Sequence, residues 1–171
     1  MPYTELAKAF SIDKLCTVTR GGETRTESVL AGITAAPENA WCSLPYTTRP
    51  PARLRGRYLP RLVTTAAACG AAAPVVPVKD SIKRIENGNI AADVARDTLA
   101  AVQTPQVFRK DLLRRALTSA AERGYSFTDD CAAVESLGTI VKATHGSYQN
   151  IKITTPEDIL VAEALLTREV K

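Results

Sequence analysis

Four groups of polar residues stand where apolar runs end, and their types suit one kind of ligand. Lys79, Asp80, Ser81, Lys83 and Arg84 follow Ala72–Val78. Thr104-Pro105-Gln106 follows Leu99–Gln103, Thr128-Asp129-Asp130 opens a helix, and Lys152 sits within Asn150–Thr155. In open α/β sheets, ligands bind beyond the carboxyl ends of the strands. Hydroxyls, an ammonium group and helix N-termini gathered there suit a phosphate-bearing ligand. Each group also has a plainer reading. Thr128 and Thr155 are good helix N-caps with no ligand at all. Lys83, Arg84 and Arg96 read equally as solvated hairpin charges. Asp129 and Glu135 fit a solvated helix face rather than a carboxylate pair. His145, between Thr144 and Gly146, has no spacing that suggests a catalytic dyad or a metal site.

The elements that must position these groups alternate between strand and helix signals. Leu15–Thr19 is a β-branched run ending at Gly21-Gly22, and Arg25–Ala35 carries Val29, Leu30 and Ile33 on one helical face. Trp41–Leu44 reads as a strand, Leu59–Ala68 as helix-compatible, and Ala72–Val78 as a buried strand. Pro74 and Pro77 push that last strand toward an edge or an irregular position. Around Glu86-Asn87-Gly88-Asn89 the Asn-Gly pair predicts a hairpin, poor in apolar residues and in need of something to pack against. Leu99–Gln103 resumes the strand pattern. Arg109–Arg123 has a stripe of Leu112, Leu113, Ala116, Leu117 and Ala120, closed by Gly124. Thr128 is expected to cap a short helix through Leu137, with Thr139–Thr144 and Ile151–Ile153 strand-like. The last helix has Thr155 as N-cap, Pro156 at the first position, and Glu157 and Asp158 at the positive end of the dipole. This alternation argues an α/β fold with a mainly parallel sheet.

Composition sets the outer bounds. A chain of 171 residues, 45% hydrophobic and 23% charged, suits one globular domain with a largely aliphatic core. Cys16, Cys42, Cys69 and Cys131 form no close pair, so reduced thiols are expected rather than a zinc site or a disulfide framework. No signal-peptide pattern and no apolar run of about 18 residues is present, and a cytoplasmic location follows. Most of the net charge of +4 comes from a stretch without Asp or Glu between Glu38 and Asp80. Within it, Pro45–Leu62 (PYTTRPPARLRGRYLPRL) holds five arginines and four prolines. Five arginines could neutralise phosphates. With two tyrosines and no docking motif, however, binding of nucleic acid is not the favoured reading.

The strings themselves say more. PVKDSIKRI, AVQTPQVFRKDLL, GYSFTDDCAAVE and NIKITTPEDILVAEALL occur in this order. Together they resemble the C-terminal part of the 2-C-methyl-D-erythritol 4-phosphate cytidylyltransferase (IspD) family. GGETRTESVLAGI is similar to its GGxxRxxSVxxGL segment, so the resemblance runs over roughly Leu15–Leu166. It implies a three-layer, Rossmann-like nucleotidyltransferase sheet, with residues 1–171 forming one incomplete domain and residues 79–98 a projecting β-hairpin dimerisation arm. It also implies cytidylyl transfer from CTP, assisted by Mg²⁺, to methylerythritol phosphate with release of pyrophosphate. Transfer to ribitol phosphate, or a non-catalytic remnant that still dimerises, are the alternatives.

By the same resemblance, Arg96 and Lys152 would orient the attacking phosphate, with Lys152 also neutralising charge on the nucleotide. Ser81, Thr104, Thr128 and Arg49 would bind substrate, while Gly22, Glu23 and Ser28 would contact cytosine and ribose. Ser81 and Arg96 would act in the partner's site of a homodimer. Two departures are expected to matter. The family's opening PAAGxGxRM loop has no counterpart in MPYTELAKAF, which implies impaired transfer. Where the family reads WVLVHDAARP this chain reads WCSLPYTTRP, so Tyr46 stands in place of the Mg²⁺-binding aspartate. The atypical segment 42–62 has the composition expected of a stretch translated out of frame.

Overall fold

The computed structural model describes residues 3–13, 15–44 and 52–167. Two helices lead in, α1 (Tyr3–Ala9) and α2 (Arg25–Ala35). Leu15–Thr19 forms no strand, which corrects the expectation from its β-branched run. A strand needs a partner ladder, and none of the sheet's paired strands lies against these residues. α2 begins at a capping box: Thr24 Oγ1 accepts from the Glu27 N–H, while Glu27 Oε2 accepts from the Thr24 N–H.

The body is a five-stranded sheet of β1 (Trp41–Leu44), β2 (Ala71–Pro77), β5 (Ala100–Val102), β6 (Gln106–Arg109) and β7 (Lys142–His145). β3 (Lys83–Glu86) and β4 (Asn89–Asp93) form a separate two-stranded sheet. Helix α3 (Ala52–Cys69) packs on β2, β6 and β7. α4 (Lys110–Glu122) packs on β1 and β6 and against α2 and α5 (Asp130–Glu135). α6 (Pro156–Thr167) closes the described chain. The alternation along the strands decides which side each residue serves. Ala71, Ala73 and Phe108 join Leu112, Leu113, Ala116 and Leu117 in the larger core, while Ala72 and Val107 face Leu62 and Ala66 of α3. From residue 52 onward the Arg/Pro-rich segment is therefore a helix, whose Tyr58 and Leu62 are buried.

The α/β class stands, but the ladders are mainly antiparallel. Among the described residues only β2 and β7 pair in parallel; β1–β6, β2–β5 and β2–β6 are antiparallel. β5 and β6 are two halves of one reversed strand lying along β2. Val75–Pro77 pairs with β5 and Ala71–Ala72 with β6, and the ladder breaks opposite Ala73–Pro74. That break explains how a proline tolerates a central strand. The Pro74 carbonyl accepts from the Gln103 N–H at 2.8 Å, so its ring nitrogen, pointing the same way, meets the gap where no donor is required. Pro77 ends β2, and its carbonyl accepts from Tyr148 Oη at 2.7 Å. β2 is central, not an edge.

Other local signals hold or shift by a residue. Asn87 (φ 50°) and Gly88 (φ 80°) make the predicted hairpin turn. The cap of α5 is Asp129 rather than Thr128: its Oδ1 accepts from the Ala132 N–H at 2.9 Å. Ile151–Ile153 forms no strand. Among the described residues, no helix is long and apolar enough to cross a membrane.

Candidate active site

The break between β5 and β6 opens one side of a cavity of about 490 Å³. Thr104 stands on the break itself, Thr128 precedes α5 and Lys152 follows β7, so three segments distant in sequence each contribute one predicted residue to its lining. A lysine and two threonines line one cavity, which is donor chemistry for a phosphate.

The wall beside Thr128 is a chain of polar groups, of which Gln106 and Asp130 are buried. Gln106 Nε2 donates to Asp129 Oδ2 at 2.8 Å, which orients the same carboxylate that caps α5. Next to it, Asp130 is fully buried and its Oδ2 accepts from Arg25 Nη2 at 2.5 Å. Arg25 is the first residue of α2 and also lines the cavity. The ion pair therefore ties the start of α2 to the start of α5. Cys131 beside it is kept a neutral thiol, chiefly by burial and then by the Asp129 carboxylate.

Gly22, Glu23 and Ser28 lie in and after the turn that leads to Arg25. Their polar groups are used locally: the Gly22 N–H donates to Ser28 Oγ at 3.1 Å and the Glu23 N–H to Glu27 Oε2 at 2.7 Å. A side chain at Gly22 would place its Cβ 2.2 Å from Glu27 Cβ, so glycine is required by the capping box whatever else it contacts.

The opposite wall hangs from Gln103. Its Nε2 donates to the carbonyls of Ser147 (2.8 Å) and Asn150 (3.0 Å), and its Oε1 accepts from the Ser147 N–H at 3.1 Å. The chain after β7 is thereby folded back against the break. A Cβ at Gly146 would lie 2.3 Å from Gln103 Oε1 and 2.9 Å from the Val75 carbonyl oxygen, so this approach admits only glycine.

The family model described as 2-C-methyl-D-erythritol 4-phosphate cytidylyltransferase matches residues 2–168. The chain belongs to this family. The family's protein of that name from Bacillus licheniformis is 41% identical, over 98% of this chain and 71% of that protein. The one from Geobacillus kaustophilus is 42% identical, over 96% and 71%. Among solved structures, the cytidylyltransferase from Thermus thermophilus superposes with a TM-score of 0.72 at 32% identity, covering 87% of this chain and 72% of that one. The 4-diphosphocytidyl-2C-methyl-D-erythritol synthase from Anaerococcus prevotii gives a TM-score of 0.78 at 27% identity, covering 96% and 78%. These relatives carry the Rossmann-like nucleotidyltransferase fold expected from the sequence.

Within the family frame, the remaining predicted residues sort clearly. Arg96 does not reach the cavity that holds Lys152; it lines a separate hollow with His145, and its Nη1 donates to the Lys79 carbonyl at 2.8 Å. Ser81, exposed at the foot of the hairpin, is not in the cavity lining either. Arg49 and Tyr46 lie outside the described residues.

The cavity also contains Arg25 and Asn150, to which the sequence assigned no role of their own, along with Gln103 and Gln106, which flank Thr104 in the polar group expected to meet a ligand. Each sits inside one of the family-like strings, which was the available signal. As for Mg²⁺, no group of three His, Cys, Asp or Glu side chains suited to a metal occurs among the described residues. Of the carboxylates on the cavity side, Asp129 is engaged by Gln106 and the α5 cap and Asp130 Oδ2 by Arg25. Asp130 Oδ1 is buried without a hydrogen-bond partner among the described residues, and it belongs to no such group of three. The described residues therefore do not fit a metal, and no step is routed through one.

Proposed function

We propose that the chain transfers a cytidylyl group from CTP to the phosphate of 2-C-methyl-D-erythritol 4-phosphate. A phosphate oxygen of the acceptor forms a bond to the α-phosphorus, the bond to the β-phosphate breaks, and pyrophosphate leaves. The observation that carries this reading is the coincidence of family membership over residues 2–168 with one cavity that gathers Thr104, Thr128 and Lys152. Lys152 holds the acceptor phosphate and offsets the charge growing on the α-phosphate. Thr104 and Thr128 hydrogen-bond the acceptor, while the turn through Gly22, Glu23 and Ser28 takes the cytidine end. Mg²⁺ is the cofactor that the family resemblance implies.

The reading includes a homodimer. Support comes from Arg96 and Ser81, which lie outside this chain's own cavity, and from a hairpin exposed over both strands. In the dimer they complete the partner's site. A cytoplasmic location is part of the same reading.

The test is pyrophosphate release from CTP, with methylerythritol phosphate and ribitol phosphate as separate acceptors. Release is expected with the first. Lys152→Ala and Arg96→Ala each lower it by about 10²–10³-fold, the usual cost of losing a charge-stabilising donor, and His145→Ala leaves it unchanged. No release with either acceptor overturns the reading and leaves a dimerising remnant. Release with ribitol phosphate alone changes the acceptor.

A further inference from the structure

Asn150 is 5% exposed and sits two residues before Lys152. Both protons of its amide are used. Nδ2 donates to the Thr104 carbonyl at 2.7 Å and to Tyr58 Oη at 3.1 Å, and Tyr58 Oη lies 3.4 Å from the same carbonyl. The three groups close a triangle linking the break between β5 and β6, the segment after β7, and α3. One acceptor is left over: Asn150 Oδ1 is buried and has no hydrogen-bond partner among the described residues.

An orphaned buried acceptor costs about 1–3 kcal/mol. An amide that leaves one is therefore a poor choice for stability alone. What the amide does supply is a pair of donors aimed at a carbonyl and a hydroxyl, and neither a carboxylate nor an aliphatic side chain of that size can do this.

Resting on the function proposed above, we infer that Asn150 is a positioning residue of the transferase site. It fixes the backbone of Thr104 and, through the chain it belongs to, the place of Lys152 on the facing wall, with Tyr58 anchoring the amide to α3. Gln103 reinforces the same register from the other side by gripping the carbonyls of Ser147 and Asn150. Tyr58 holds a proton at all ordinary pH values, since burial pushes its phenol upward, so it serves as a neutral partner. This role falls on a tyrosine from the Arg/Pro-rich segment.

The experiment compares parent, Asn150→Asp, Tyr58→Phe and the double variant, with CTP and methylerythritol phosphate as probes. Asn150→Asp keeps the shape but removes both donors. It is expected to lower kcat by about 10–10²-fold, the scale of a small misplacement at a reacting centre, with KM for CTP within about threefold. Its loss shrinks as pH falls, because the protonated carboxyl regains a donor for Thr104, whereas the parent gains nothing there. Tyr58→Phe gives a smaller loss of the same kind, and the double variant is no worse than Asn150→Asp, because both act through one amide.

A folded Asn150→Asp with the parent's kcat, or one that changes only KM for CTP, overturns the inference. If that variant does not fold, Tyr58→Phe decides by the same split. If the parent itself transfers nothing, the functional reading fails separately, and amide hydrogen exchange decides this one. Faster exchange over residues 146–153 in either variant supports the tie, and parent-like exchange overturns it.

Discussion

β2 and β4 differ little in length and lie close together in the chain, yet they are stabilised by different means. β2 buries Ala71, Ala72, Ala73, Pro74 and Val76 between two helical layers. Every residue of β3 and β4 is exposed, including Ile85 (60%) and Ile90 (71%). The hairpin holds its shape through a tight turn, a short ladder and a Lys83–Asp93 ion pair open to water. Two strands alone are marginally stable in water. The sheet can therefore be disrupted from within, whereas the hairpin answers mainly to what lies against it.

The largest effect follows from cutting the core. Phe108 is fully buried between the sheet and α4, and Phe108→Ala should cost about 3–5 kcal/mol in chemical denaturation. A loss below about 1 kcal/mol would mean that the two layers do not share this core. On the hairpin side, Ile85→Ser with Ile90→Ser should change monomer stability by less than about 0.5 kcal/mol. The same pair should convert a sedimenting dimer to monomer. If the dimer survives with its exposed isoleucines gone, the arm is not the interface, and the contrast with β2 loses its functional meaning.

The smallest effect sharpens a third kind of element, the solvent-facing start of α6. The Asp158 carboxyl is held below its ordinary value of 3.8, first by the Thr154 N–H and then by the Thr155 N–H. A depressed carboxylate stabilises the fold above its unfolded value and loses that contribution as pH falls through the folded one. Circular dichroism should therefore show helix loss near the acid end, below about pH 4. Asp158→Asn should flatten that loss. An unchanged acid profile in the variant would assign the transition to other carboxylates.

Family kinship and the elements set by nearest neighbours were legible before any fold was known. Arg25–Ala35, the stripe on α4 and the Asn87-Gly88 turn came through almost unshifted, because capping, 3.6-residue periodicity and turn chemistry act within a few residues. Thr104, Thr128 and Lys152 could be named from strings, since each lies in a family-like segment. Their meeting in one cavity could not be read that way, and neither could the separation of Arg96 from it.

The tertiary structure alone decided where strands exist and how they pair. Leu15–Thr19 has strand composition but no ladder, while β6 was missed beside a helix start, and β2 is central despite two prolines because its partner breaks opposite Pro74. Only that arrangement brings Tyr58, Asn150 and Thr104 to one point across 46 and 92 residues of chain. A helix satisfies its hydrogen bonds from its own sequence. A strand, and a site built on the break in one, takes them from residues far along the chain.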